Sequence, residues 1–336
     1  YSSAAHLGGI ALRDNPNGKK MASFIGMDQP DHTGQRKAVA PIVAPKNLRN
    51  MEATIRQRTA DVLDELPRGE TFDWVDKVSV ELTTMMLATL FDFPWEDRHL
   101  LTYWSDVSTA DFDAPGALVT SDEERLDILK EMGQYMGKLW EARAVGDPGF
   151  DLITMLAQNE ATKDMSRMDL IANSTLLIVG GNDTTRNTMS GGLLALCENP
   201  DQFAALRADH GLIKSLVSES IRYQSAIIHM RRTALEDTEL SGHKIAKSDR
   251  VVMWYLSGNY DKSAIPNADQ FIIDRPRARR HLSFGAGIHR CVGDRLAELQ
   301  LEILWQEILR RDLRIEVMGP PVRLYSNFIR GIRSLP

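Results

Sequence analysis

A helical pattern runs from Ser166 to Asn199, opened by Ser166 and Asp169 as a capping box and closed before Pro200. The rest of any fold must be built around a helix of this length. In its middle stands LLIVGGNDTTRN. Two adjacent glycines inside a helix cost about 1 kcal/mol each relative to alanine, and Asp183, Thr184 and Thr185 follow them on an otherwise apolar segment. Either something comes close to this backbone, or a helix crossing needs small residues and the polar trio is solvated.

The remaining chain is also mostly helical in pattern. From Asp73 to Leu90, Val75, Val78, Leu82 and Met85 recur at helical spacing, with Pro94 marking the end of the region. After Cys291, Ala297, Leu301, Leu304 and Ile308 form an apolar stripe against polar Glu298, Glu302 and Gln306. Between about Arg232 and Tyr255 the pattern changes to short strands joined by a Ser-Gly turn. The first 30 residues, with Gly8, Gly9, Asn15, Pro16 and Pro30, read as loop. Residues 110–124, with Pro115 and Gly116, form a candidate pocket lid or a plain surface connection. The expected class is mainly α with small β-sheets.

Composition excludes several roles. Of 336 residues, 43% are hydrophobic and 26% charged, enough for a substantial core. A net charge of -6 leaves no overall basic field to hold nucleic acid or an anionic membrane surface. No apolar run approaches the roughly 18 residues of a membrane span, and no secretory signal opens the chain. Two cysteines, Cys197 and Cys291, cannot make a disulfide framework and point to a reducing compartment, the cytoplasm. The chain opens on Tyr1 rather than methionine, which suggests a fragment.

Cys197, in the apolar run GGLLALCENP, reads as a small buried hydrophobe. Cys291 differs, because it lies in the glycine-rich turn SFGAGIHRCVG at the expected start of a helix, beside His289 and Arg290. A helix N-terminus and nearby cations stabilise a thiolate. Such a thiolate serves as a nucleophile, a redox centre or a metal ligand. No second cysteine is close enough in sequence for a CxxC redox or zinc site. A catalytic nucleophile partnered by a histidine and a thiolate ligand to haem iron both stay open.

Phe284-Gly285-x-Gly287-x-His289-x-Cys291-x-Gly293 resembles the haem-binding signature of the cytochrome P450 superfamily, whose members are haem-thiolate monooxygenases. Gly180-Gly181-x-Asp183-Thr184 resembles the oxygen-activating segment of that family's long central helix. Glu219-Ser220-Ile221-Arg222 resembles its E-x-x-R pair, and Phe271 to Arg275 fits the segment that joins the pair. The resemblance covers residues from about Gln29 to the end, and the family's N-terminal sheet segment is missing from the chain, so the expected organisation is one N-terminally incomplete domain over 1–336. Long runs, among them FIGMDQPDHTGQRKAVAPIVAP, MRRTALEDTEL and RVVMWYLSGNYD, resemble the bacterial alkane terminal hydroxylases.

That resemblance implies haem b (iron protoporphyrin IX) as cofactor, with Cys291 as its iron ligand and O2 as co-substrate. The substrate is expected to be a medium-chain alkane, a fatty acid or a related apolar chain, and the electrons to come from a ferredoxin and its NADH-dependent reductase. Asp183 and Thr184 are implied to deliver protons for dioxygen cleavage, and Gly180 and Gly181 to make room for the oxygen. His32, Arg36, Arg232 and His289 are implied partners of the haem propionates, with Arg231 a less certain neighbour and Phe284 part of the binding turn. Glu219 and Arg222 read as a structural ion pair. Leu176, Val179, Ile227, Ile228, Met230 and Phe328 are candidate substrate contacts. Six arginines against one acid, Asp294, between 275 and 295 suggest a basic patch that steers an acidic ferredoxin. No flavin or nicotinamide fingerprint occurs, so electrons must come from separate proteins. Competing readings are a hydroxylase of another apolar substrate (subterminal on fatty acids, or on a terpenoid), a peroxide-driven fatty-acid hydroxylase, and a haem-binding sensor without turnover.

Overall fold

The computed structural model describes residues 1–12 and 23–336. Asn15 and Pro16, read above as loop, lie outside the described residues. The helices are α1 (Asp31–Val39), α2 (Pro45–Asp64), α3 (Glu81–Phe91), α4 (His99–Thr109), α5 (Asp122–Ala144), α6 (Leu152–Gln158), α7 (Arg167–Glu198), α8 (Pro200–Ala208), α9 (Ile213–Gln224), α10 (Tyr255–Asn259) and α11 (Asp294–Arg310). The strands are β1 (His229–Thr233), β2 (Thr238–Leu240), β3 (His243–Ile245), β4 (Arg250–Trp254), β5 (Val322–Arg323) and β6 (Ile332–Ser334).

The long central helix is α7, and its start is set as its sequence demands: Ser166 Oγ accepts from the Asp169 amide at 3.2 Å and donates to the Asp169 carboxylate at 2.8 Å. Helices α3, α4, α5 and α9 all pack on it, so most of its second half is buried. Ser121 and Asp151 cap α5 and α6 in the same way. None of the helices is long and apolar enough to cross a membrane, among the described residues.

The expected 73–90 helix is found in two pieces, a π-helical turn over Val75–Val80 and then α3. Val75, Val78 and Leu82 are buried as expected, while Met86 rather than Met85 is the buried methionine, α3 being buried on most of its sides. The strands form three antiparallel pairs, β1 with β4, β2 with β3 and β5 with β6. Ser241 and Gly242, at φ 51° and 81°, turn the β2–β3 hairpin, as a two-residue primed turn requires. Residues near the chain start are more ordered than loop: Ser2 bridges Thr233 through two backbone hydrogen bonds of 2.8 and 2.9 Å, and the Arg231 amide donates to Ile10. This places residues 2–11 along β1.

Two apolar clusters make the core. One gathers the C-terminal half of α7 with α8, α9 and much of α11, around Trp305, Leu216 and Leu304. The other gathers the N-terminal half of α7 with α1, α3, α4, α5 and α6, around Leu101, Met132 and Ile178. A cavity borders both.

Candidate active site

The cavity has a volume of about 580 Å³, within the range of small-molecule and cofactor sites. Mid-α7 borders it through Val179, Gly180, Gly181 and Thr184, and the turn 283–293 borders it through Phe284, Gly285, His289 and Cys291. The two glycines of α7 have different reasons to be there. A Cβ on Gly180 would meet nothing within 4 Å, so this backbone is open to the cavity, whereas one on Gly181 would stand 2.8 Å from Leu87 Cδ2 on α3. Close approach explains the first and helix crossing the second.

The cysteine turn is shaped by Gly285 and Gly287, both left-handed at φ 64° and 69°, where a side chain would be strained. It is closed by the Cys291 amide, which donates to the Phe284 carbonyl at 2.8 Å. Gly293 also has open space where a Cβ would stand. Helix α11 begins at Asp294, after the cysteine. Cys291 is exposed toward the cavity. Enclosure by protein pushes the Cys291 thiol up to about 11, against the downward pull of the Gly293 amide, Arg36 and Arg290. The protein packed around the sulfur outweighs the electropositive setting, and a cation ligated by the sulfur would favour its deprotonation. Cys197 is half-buried with its thiol near the Ile315 carbonyl, as expected of a small hydrophobe.

Beside the turn lies a cluster of basic side chains. His32 is buried with neither ring nitrogen hydrogen-bonded, and its ring stands edge-on to His289 at 4.4 Å. Burial, then His32 and Arg232, push His289 down to about 4, and burial also lowers Arg36 and Arg232. His289 Nε2 shares a hydrogen bond of 2.8 Å with Ser3 Oγ, and Arg36 Nη2 donates to the Arg290 carbonyl at 2.6 Å. Among the acids only Asp28 contributes to the shifts of His32, His289 and Arg232. Such a cluster suits anionic groups that are partly buried. Of the four candidate propionate partners, Arg36 and His289 line the cavity, with His32 and Arg232 behind them. Arg231 is buried and donates to the Leu7 carbonyl, a structural role. A sulfur donor, two open glycines, the unpartnered imidazole of His32 and a basic edge fit a flat, dicarboxylate, iron-containing group.

Asp183 is fully buried and faces away from the cavity. Its Oδ1 accepts from Arg186 Nη2 at 2.6 Å, and the same nitrogen donates to Asp106 on α4 at 2.8 Å. Thr109 Oγ1, also on α4, donates to Asp183 Oδ2 at 3.3 Å. Burial raises the Asp183 pKa to about 6, against the pull of Arg186. Thr184 does line the cavity, with its hydroxyl donating to the Gly180 carbonyl at 2.8 Å.

Leu176, Val179, Ile227, Met230 and Phe328 line the cavity as expected, but Ile228 does not. Its amide donates to the Phe328 carbonyl and its own carbonyl accepts from the Leu256 amide. Sequence reasoning missed Ile10 and Ala11, Met86, Leu87 and Leu90 on α3, and Ser108 and Thr109 on α4. Nothing in helical periodicity separates a wall residue from a core residue. Loop residues 110–124 line none of the cavity, so the surface connection is the reading that fits. The loop is held by Arg125, which lies over the Phe112 ring at 4.2 Å and donates to the Ala110 carbonyl.

Behind the cysteine turn, Glu219 accepts from Arg222 Nε and Nη2 at 2.7 Å each, from Arg275 Nε at 2.9 Å and from the Ile272 amide at 2.9 Å. All three charged side chains are buried. Arg275 therefore leaves the expected basic patch. Arg279 pairs with Glu298 and Arg290 with Asp294, which leaves Arg277, Arg280 and Arg295 as its exposed arginines outside those two pairs, around exposed Leu282 and Ile288.

The family model for cytochrome P450 matches residues 138–319. Linalool 8-monooxygenase from Pseudomonas putida is 38% identical over 316 residues, spanning 93% of this chain and 76% of that protein. The structure is similar to that of cytochrome P450-153 from Novosphingobium aromaticivorans, with a TM-score of 0.92 and 50% identity over 100% of this chain and 84% of that one. It is as similar to CYP153D17 from a Sphingomonas species, at 0.91 and 50% over the same shares.

Proposed function

Because this chain belongs to the cytochrome P450 family, and is accordingly a monooxygenase whose cofactor is haem b, we propose that it hydroxylates the terminal methyl of medium-chain alkanes or fatty acids with electrons from a ferredoxin. The carrying observation is the cavity wall away from Cys291, where Met86, Leu87, Leu90, Leu176, Val179, Ile227, Met230 and Phe328 offer no charge to a substrate. The 50% identity to two proteins named as P450-153 and CYP153D17 supports the same branch.

Haem b, when bound, supplies the iron that activates dioxygen for insertion into a C–H bond. Cys291 would hold that iron, and Arg36 and His289, backed by His32 and Arg232, would neutralise the two propionates. Gly180 leaves space against the flat face. Asp183, with a pKa of about 6, exchanges its proton near neutral pH, as a group that supplies protons must. Thr184 presents its hydroxyl at the cavity wall. A primary C–H bond is stronger than its secondary neighbours, so the apolar wall must hold the chain end-on and keep the other carbons away. The exposed basic face around Leu282 and Ile288, with Arg277, Arg280 and Arg295, is the proposed dock for an acidic ferredoxin, and the cytoplasm is the proposed site of action. The peroxide-driven reading is less favoured, since position 184 carries an alcohol where a carboxylate-binding cation would serve it better.

Incubation with octane, decane and dodecanoic acid, a ferredoxin, its reductase and NADH is expected to give 1-alcohols from the alkanes and the ω-hydroxy acid. Predominantly subterminal products would overturn the proposal.

A further inference from the structure

We propose that Thr109, on α4, is the positioning residue through which the buried Asp183 carboxyl exchanges protons with the cavity. This rests on the reading of Asp183 as a proton source given above. Ser105 also faces that carboxyl but does not line the cavity; Thr184 and Thr109, which do, differ in what they reach. Thr184 lines the cavity but donates to the Gly180 carbonyl at 2.8 Å. Thr109 also lines the cavity, and its Oγ1 reaches Asp183 Oδ2 at 3.3 Å while also donating to the Ser105 carbonyl at 3.0 Å. Asp183 has no exposed surface of its own and does not border the cavity, so a proton leaving it needs an intermediate oxygen.

Helix α4 holds both ends of this route. Asp106 and Thr109 stand three residues apart and so share one face. Asp106 is one-third exposed, its side chain at 34%, and draws on the same Arg186 nitrogen as Asp183, at 2.8 against 2.6 Å. The groups facing Asp183 are thus Arg186 from α7 and Ser105, Asp106 and Thr109 from α4. When the Asp183 proton passes to Thr109 Oγ1, the hydroxyl's own proton passes to an acceptor oxygen in the cavity, and rotation of the hydroxyl resets it. Solvent water restores the carboxyl proton from the Asp106 side as Arg186 shifts its hydrogen bond toward Asp106. A carboxyl with a pKa near 6 supports such exchange, though the geometry carries the argument.

The test compares holoenzyme variants Thr109→Val, Thr109→Ser and Thr184→Ala, each first checked for haem content. Product formed per NADH consumed is expected to fall about tenfold or more in Thr109→Val, the electrons being lost to hydrogen peroxide or water, and to be restored in Thr109→Ser. Independently of turnover, the Asp183 carboxyl followed by isotope-edited infrared titration is expected to protonate at higher pH in Thr109→Val, because a hydrogen bond to the carboxylate is gone. Unchanged coupling in Thr109→Val overturns the proposal whether or not the titration moves. If Thr184→Ala alone uncouples, the proton-source reading survives without Thr109. If neither uncouples, that reading itself is wrong.

Discussion

Replacing Cys291 with alanine is expected to abolish product formation while the fold survives. The backbone that shapes the turn does not need the sulfur: the Cys291 amide still donates to Phe284, and Gly285 and Gly287 keep their left-handed conformations. The side chain borders an existing cavity, so its removal should change stability by no more than about 1 kcal/mol. The chemistry has no such redundancy. A thiolate ligand pushes electron density toward O–O cleavage, and the only other cysteine, Cys197, sits in the last turn of α7 with its thiol at the Ile315 carbonyl. The check is the reduced holoprotein under carbon monoxide, whose far red-shifted Soret maximum should be lost with activity. Retention of that band in the variant would remove Cys291 from its assigned role.

Glu219→Gln is expected to fail differently, by unfolding the haem-binding region rather than slowing a reaction. The carboxylate serves two buried guanidiniums at once, with four hydrogen bonds between 2.7 and 2.9 Å. Without its charge, Arg222 and Arg275 become buried cations with no counter-charge from Glu219. Breaking a buried pair from one side costs roughly 3–5 kcal/mol, a large part of the 5–15 kcal/mol that holds a typical domain together, to order of magnitude. Thermal denaturation and haem content measure it. A Glu219→Gln variant that melts with the parent and loads haem fully would show that the carbonyls of Asn259, Ala268 and Gln270, which also accept from Arg222, suffice to hold the cations.

What the sequence displayed best was whatever depends on neighbours in the chain. The Ser166 cap, the Ser-Gly hairpin and the glycine-rich cysteine turn are local devices, and each is where its residues put it. The class, mainly helical with small sheets, followed from the same local patterns. Long-range partnership was less visible. Arg275 looks like one of six surface arginines until Glu219, 56 positions away, takes it inside. Asp183 and Thr184 are adjacent in sequence, yet one is buried beside α4 and the other borders the cavity.

The two apolar clusters meet across a gap that the polypeptide does not fill. Whatever occupies that gap completes the interior, and its binding free energy is added to the native state alone. Melting temperature, resistance to proteases and yield from an expressing cell should therefore track porphyrin supply. A destabilised variant can accordingly be rescued by feeding a haem precursor, with no second change to the chain.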